Sequence, residues 1–170
     1  MDTPRVVVKG PGAKAVLAQL KALNGLGVKV GILGASGVHK STLDDASAAE
    51  PMTVASIAAV HEFGAPKARI PERSFLRSAI DESRELLEQT AANVAASVAR
   101  GTLTANQAAA RLGLVAQARV QRKIVDGPFA PNAPFTVRQK GSSRPLIDSG
   151  QMRQSVTYEV VDLATAKRGG

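Results

Sequence analysis

The chain carries few groups able to act as acid, base or nucleophile, and their spacing decides which reactions are open to it. None of its 170 residues is cysteine, which removes thiolate nucleophiles, thiolate metal sites and disulfides together. Gly34 to Ser41 (GASGVHKS) imitates a phosphate-binding loop, where glycines let backbone N–H groups approach a phosphate and a lysine pairs with it. His39 stands where that loop needs its second glycine, directly before Lys40. The residues after Ser41 (TLDDASAAEP) begin no amphipathic helix, so a flexible loop is expected instead. The two histidines, His39 and His61, fall on different elements and lack the HExxH or paired-ligand spacing of a zinc site. His61 and Glu62 are adjacent, which on a helix aims them to different sides instead of at one substrate atom. Asp81, Glu82, Glu85 and Glu88 cluster on one helical stretch, as a solvated face or, less simply, a metal site. No GxSxG elbow occurs. No catalytic, cofactor-binding or metal site is expected.

Bulk composition narrows the class further. The length fits one domain, residues 1–170, with 44% hydrophobic residues but only 3% aromatic, so the core must rest on Ala, Val, Leu and Ile. Met1 to Gly10 carries Arg5 and Lys9 without a following apolar stretch, and no apolar run is long enough to span a bilayer. Synthesis in the cytoplasm, without membrane partners, is the expectation. The net charge of +8 is uneven: residues 1–99 hold 11 basic and 10 acidic side chains, residues 100–170 hold 11 and 4. A basic half is compatible with phosphate contacts to DNA or with an acidic protein surface. Too few aromatics are present for base-stacking platforms, so any DNA contact would not read sequence.

Those residues must be held by a small set of elements. Val16, Leu17, Leu20 and Leu23 recur at helical spacing in Gly12–Leu23, ended by Asn24-Gly25. Val28, Val30 and Ile32 alternate with smaller or charged residues, as in a strand with one buried face. Residues 35–51 are small and polar, a long loop. Thr53 can cap a short helix, Val54 to Phe63, that Gly64 closes. After the Pro66–Pro71 turn, Leu76, Ile80, Leu87, Ala91, Val94 and Val98 form one stripe on a helix of about 28 residues, with Leu86 beside the stripe and Arg77 placed to pair with Asp81. Gly101 stops it, and Thr104 caps a second long helix through about Val125, with Leu112, Ala116, Val120 and Ile124 on one face. Residues 127–147 contain four prolines and read as an extended arm. Asp148 can cap a helical turn through Met152; Val156, Tyr158 and Val160 form a closing strand; residues 164–170 read as a frayed tail. The sum is an α+β fold, a small antiparallel sheet packed on two long helices, with a proline-rich extended arm.

Two blocks carry a pattern. In Val54–Asp81 stand His61, Glu62, Phe63 and Gly64, then Ile70, Pro71, Arg73, Phe75, Leu76 and Arg77. In Gly127–Val160 stand Pro131, Asn132, Pro134, Thr136, Lys140 and Gly141, then Pro145, Leu146, Ile147, Asp148, Gly150, Met152, Arg153 and Ser155. Together they resemble the neck and tail-completion proteins of tailed bacteriophages, the virion-morphogenesis type. Ser74 stands for that pattern's usual proline and Ser149 for its usual threonine. The resemblance covers about residues 53–162. It implies a non-catalytic structural subunit that forms a homo-oligomeric ring in the virion neck, joins head to tail, and touches portal-adaptor and tail proteins. No cofactor is implied.

The residues have a physical reading of their own. Glu62-Phe63-Gly64 and Ile70-Pro71 set a turn that aims the long helix, with Phe63 and Phe75 as aromatic anchors favouring the core. The arm interleaves Phe129, Phe135, Leu146 and Ile147 with Arg138, Lys140 and Arg144, and apolar groups on an extended arm need a surface to cover. Those seven residues are the expected assembly contacts. The competing reading is a basic protein that contacts the phosphates of double-stranded DNA without sequence specificity, including packaged DNA.

Overall fold

The computed structural model of the chain describes residues 12–32 and 52–166. The Gly34–Ser41 loop with His39 and Lys40, the 35–51 loop and residues 167–170 lie outside the described residues. What is described is mostly helical, with one two-stranded antiparallel sheet, an α+β arrangement.

Helix α1 (Ala13–Asn24) leads through Gly25 into strand β1 (Leu26–Ile32). Val16, Leu20 and Leu23 are half-buried, whereas Leu17 of the same apolar stripe is 53% exposed. Strand β2 (Val156–Asp162) pairs with β1 from Leu26↔Asp162 to Ile32↔Val156. In that register Val28, Val30 and Ile32 lie opposite Val160, Tyr158 and Val156, while Lys29 and Glu159 face each other on the other side. Alternation therefore gives the sheet one apolar face, and that face lies on helix α5 (Ala105–Asp126).

Helix α5 is the element on which the others meet. It starts with a reciprocal capping box: the Gln107 backbone N–H donates to Thr104 Oγ1 at 3.3 Å, and the Thr104 N–H to Gln107 Oε1 at 2.9 Å. Gln19 of α1 also accepts from the Ala105 N–H at 2.8 Å, so α1 caps α5 as well. Its buried positions are small at the front, Ala105, Ala108, Ala109, Gly113 and Ala116, and larger at the back, Val120 and Ile124. The small half lets the chain approach closely: a methyl group at Gly113 would overlap the Tyr158 ring of β2. The larger half joins Val54, Phe75, Ala79, Leu146, Met152 and Val156 in the main core. A second cluster gathers Val94, Val98, Leu103 and Ala108, covered by Leu20 and Leu23 of α1.

The sequence pattern departs from the structure at several points. The helix expected to run for about 28 residues is two helices, α3 (Leu76–Glu82) and α4 (Arg84–Ala99). At Ser83 ψ is 8°, and its N–H reaches both Ala79 O and Ile80 O at 3.2 Å, the tightened geometry of a 3₁₀ turn. The bend keeps both halves on α5, with Glu82 pairing Lys123 near its end and Val98 packing beside Ala108 near its start. Leu86, beside the expected stripe, is half-buried like Leu87 on it. Arg77 does not pair with Asp81: it turns to Glu62 and Glu72, and Asp81 faces Arg84 at 3.8 Å.

The arm is not extended throughout. Residues Pro134–Lys140 form helix α6, with Pro134 at its first position, where a missing N–H costs nothing and a fixed φ favours the helix. Proline forbids helix interiors, and the sequence pattern was blind to a helix that starts on one. Helix α7 (Gln151–Ser155) begins after Gly150, not at Asp148, and the Ser149 hydroxyl accepts from the Gln151 N–H at 3.4 Å. Residues Leu163–Ala166 form a last turn, α8, tied to the start of the sheet by Leu163 N–H to Gly25 O at 2.9 Å, so 164–166 are not a frayed tail. No helix among the described residues is long and apolar enough to cross a membrane.

The close approach at Gly113 gives a test of how the sheet sits on α5. Gly113→Ala is expected to cost about 1–3 kcal/mol by overpacking against Tyr158, and Tyr158→Leu in the same chain to recover part of that loss. Urea unfolding measures both, and an unchanged midpoint for Gly113→Ala would show that the two elements do not touch there.

Candidate functional site

Both motif blocks meet at one polar joint built by helix α2 (Val54–Phe63) and the start of α3. Thr53 caps α2 by accepting the Ser56 N–H at 3.1 Å, and Gly64 ends it. Gly64 has φ +73°, and a side-chain carbon there would lie 2.9 Å from the Glu72 backbone nitrogen. Both facts require glycine. The chain then turns back: Ala65 and Ile70 exchange N–H···O bonds of 2.9 and 3.1 Å around the short 3₁₀ turn Pro66–Ala68. Pro71 is exposed in the extended stretch that follows. The Arg73 N–H donates to His61 O at 2.7 Å, which returns the chain alongside α2.

That return delivers the head of α3 to Glu62, which is only 4% exposed. Its Oε2 accepts the Leu76 N–H at 2.8 Å. Its Oε1 accepts the Ser74 hydroxyl at 2.8 Å, the Arg77 N–H at 3.0 Å and Arg77 Nε at 3.1 Å. Helix α3 has no side-chain cap of its own at Phe75, so Glu62 caps it from another helix. Burial pushes the Glu62 carboxyl up. The Leu76 and Arg77 backbone N–H groups, Ser74 and the Arg77 side chain together outweigh burial and leave it below its ordinary value. Ser74, the departure from the pattern's proline, supplies one of these donors. Phe75 is buried in the core, but Phe63 is not: it is 66% exposed, with the Arg77 guanidinium 5.2 Å from its ring centroid.

Arg73 joins this joint to the second block and is 5% exposed. Its Nε donates to Ala130 O at 2.8 Å, and Nη2 to Pro131 O at 3.0 Å and Asn132 Oδ1 at 3.4 Å. Asn132 Nδ2 in turn donates to Arg144 O at 3.1 Å, which closes the loop around α6. Nη1 of Arg73 lies 3.3 Å from His61 Nδ1. A guanidinium only donates, so Nδ1 is the acceptor and the His61 proton sits on Nε2. Burial, then the charges of Arg73 and Lys140, lower His61 to about 4, so its ring is neutral at neutral pH. Burial also lowers Lys140, which Asp148 opposes and Arg73 reinforces.

The expected assembly residues divide. Phe135 is 62% exposed, and Arg138 and Arg144 are exposed. Lys140 is half-buried beside His61. Leu146 is buried in this chain's own core with φ +58°, and Phe129 and Ile147 pack against that core. Leu146 therefore cannot serve as an assembly contact, and Phe129 and Ile147 are largely spent on their own domain. Gly150 precedes α7 with φ +78°. The roles of Glu62 and Arg73 as cap and clamp escaped sequence reasoning. The available signal was an acid ending the apolar run VASIAAV, a position that demands donors.

The arrangement binds backbone to backbone. The oxygens of Glu62 are occupied by donors, the guanidinium of Arg73 is spread over carbonyls, and His61 is held by Arg73. Among the described residues no group of three or more His, Asp or Glu is placed to hold a metal ion. In the acidic cluster, Asp81 pairs with Arg84 and Glu82 with Lys123. No family model matches the chain, and neither do any curated protein or solved structure.

Two expectations follow from the joint. Glu62→Gln should cost about 1–3 kcal/mol, because an amide cannot accept from all four donors, whereas Glu82→Gln, at an exposed carboxylate, should change stability by less than about 1 kcal/mol. Equal urea midpoints for the two variants would refute the capping role. For His61 the folded value lies below the ordinary 6.5, so the unfolded chain binds the proton first and stability falls as pH drops from 6.5 toward 4. The Glu62 loss begins only below its ordinary 4.5, so the interval from pH 6.5 to 4.5 isolates His61. Thermal melts of the unmodified chain should lose stability there more steeply than those of His61→Gln.

Proposed function

We propose that this chain is a non-catalytic structural subunit of a tailed-phage neck, a ring-forming component that joins head to tail. The observation that carries this reading is the convergence of the two motif blocks through Arg73. Glu62 and Arg73, both buried, are spent on fixing backbone, and the His61 ring accepts from Arg73. The set fixes the relative position of α2, α3 and the 130–144 loop. What the joint holds out to solvent is α6, with Phe135 on its outer face. Two of the four phenylalanines of this aromatic-poor chain, Phe63 and Phe135, stand mostly in water, as contact residues of an assembly would. The partners are other copies of the chain and the adjoining neck, portal-adaptor and tail proteins, and the location is the virion.

Negative-stain electron microscopy of the purified chain should show closed rings, and antibody labelling of purified particles should mark the junction of head and tail. A chain that stays monomeric at high concentration and is missing from the particles would overturn the reading.

A further inference from the structure

Helix α6 is a satellite: no other helix or strand packs broadly on it, and the joint at Arg73 and Asn132 holds it by its flanking loops. Of its exposed positions, Phe135, Arg138 and Gln139 follow i, i+3, i+4 spacing and so form one outward strip. Arg138 and, just beyond the helix, Arg144 make no side-chain hydrogen bond or ion pair among the described residues. Between 127 and 147 no acidic residue occurs at all.

The opposite charge lies elsewhere on the same chain. Of the four acids in Asp81–Glu88, Asp81 is taken by Arg84 and Glu82 by Lys123, which leaves Glu85 and Glu88 exposed and without an ion pair among the described residues. They share one face of the first turns of α4 at i, i+3. Two unmatched arginines, Arg138 one turn from the exposed Phe135 and Arg144 just beyond the helix, thus have two unmatched glutamates as their counterpart.

We infer that α6 of one copy docks by its outer strip on the start of α4 of a second copy, with Arg138 and Arg144 against Glu85 and Glu88 and Phe135 covered by the contact. Repeated head-to-tail, the contact propagates from copy to copy and closes into a ring when the rotation divides the circle. The inference rests on the self-assembly reading above and names its interface. Charge pairs at such a rim govern specificity and association, and salt weakens them.

The test uses sedimentation velocity on the full chain and two charge-reversed forms, Arg138→Glu/Arg144→Glu and Glu85→Lys/Glu88→Lys, with circular dichroism to establish that each is folded. The unmodified chain should assemble, and each variant should need at least about tenfold higher concentration to do so. An equimolar mixture of the variants should assemble again, because their subunits alternate with every contact complementary. Phe135→Ala should weaken assembly without any change in helical content. An unmodified chain that never assembles defeats both the ring reading and this interface. Assembly unchanged in both variants, or a mixture that stays dispersed, defeats the interface alone. Loss of binding to duplex DNA by Arg138→Glu/Arg144→Glu, with assembly intact, would assign the basic strip to phosphates and overturn the inference.

Discussion

The structure depends on a buried carboxylate that is given enough donors. An ionised acid taken out of water is costly unless its oxygens are satisfied. At Glu62 the donors come from the head of a different helix, so folding α2 and placing α3 are one event. Arg73, four residues before the cap's last donor, repeats the logic with the opposite charge, exchanging solvent for the carbonyls of Ala130 and Pro131. One short stretch, 61–77, thereby fixes three parts of the chain that have no regular sheet or long helical seam between them. Hydrogen bonds to charged groups are among the stronger ones, which explains how a few side chains can hold loops that hydrophobic burial does not.

Apolar packing does the remaining work with small residues. The chain has one tyrosine and four phenylalanines, and only Phe75 of the four is fully buried. Alanine and glycine on the front half of α5 bring backbone to backbone, and the Tyr158 ring occupies the groove that Gly113 leaves. Close packing of small groups gains dispersion contacts where large side chains are scarce. It also leaves little tolerance for added volume.

Local signals in the sequence carried far where the neighbours agreed with them. Helix α2 runs from Thr53 to Gly64 as its cap and glycine indicate, β1 and β2 lie where alternation places them, and Thr104 opens α5. The failures share one cause, tertiary partners that periodicity cannot see. Ser83 bends the long helix because its two halves follow different stretches of α5. Leu17 and Phe63 lie on apolar patterns yet face solvent, the second beneath Arg77. Pro134 was legible as a helix breaker but not as a helix starter. At the joint itself the residues were legible as a motif while their bonds were not, since a cap supplied by another helix leaves no spacing rule behind.

The strand pairing has a consequence for how the chain comes into being. β1 ends at Ile32 and β2 begins at Val156, so the only sheet among the described residues joins the two ends of the described chain. A ribosome would have to release Val156–Asp162 before the apolar face of β1 could find its mate. Until then the helices around α5 can assemble from contacts nearer in sequence, and the nascent chain carries a bare strand edge, the kind of surface that invites pairing with a wrong chain. β2, made far later, is thus the segment that retires the hazard left by β1.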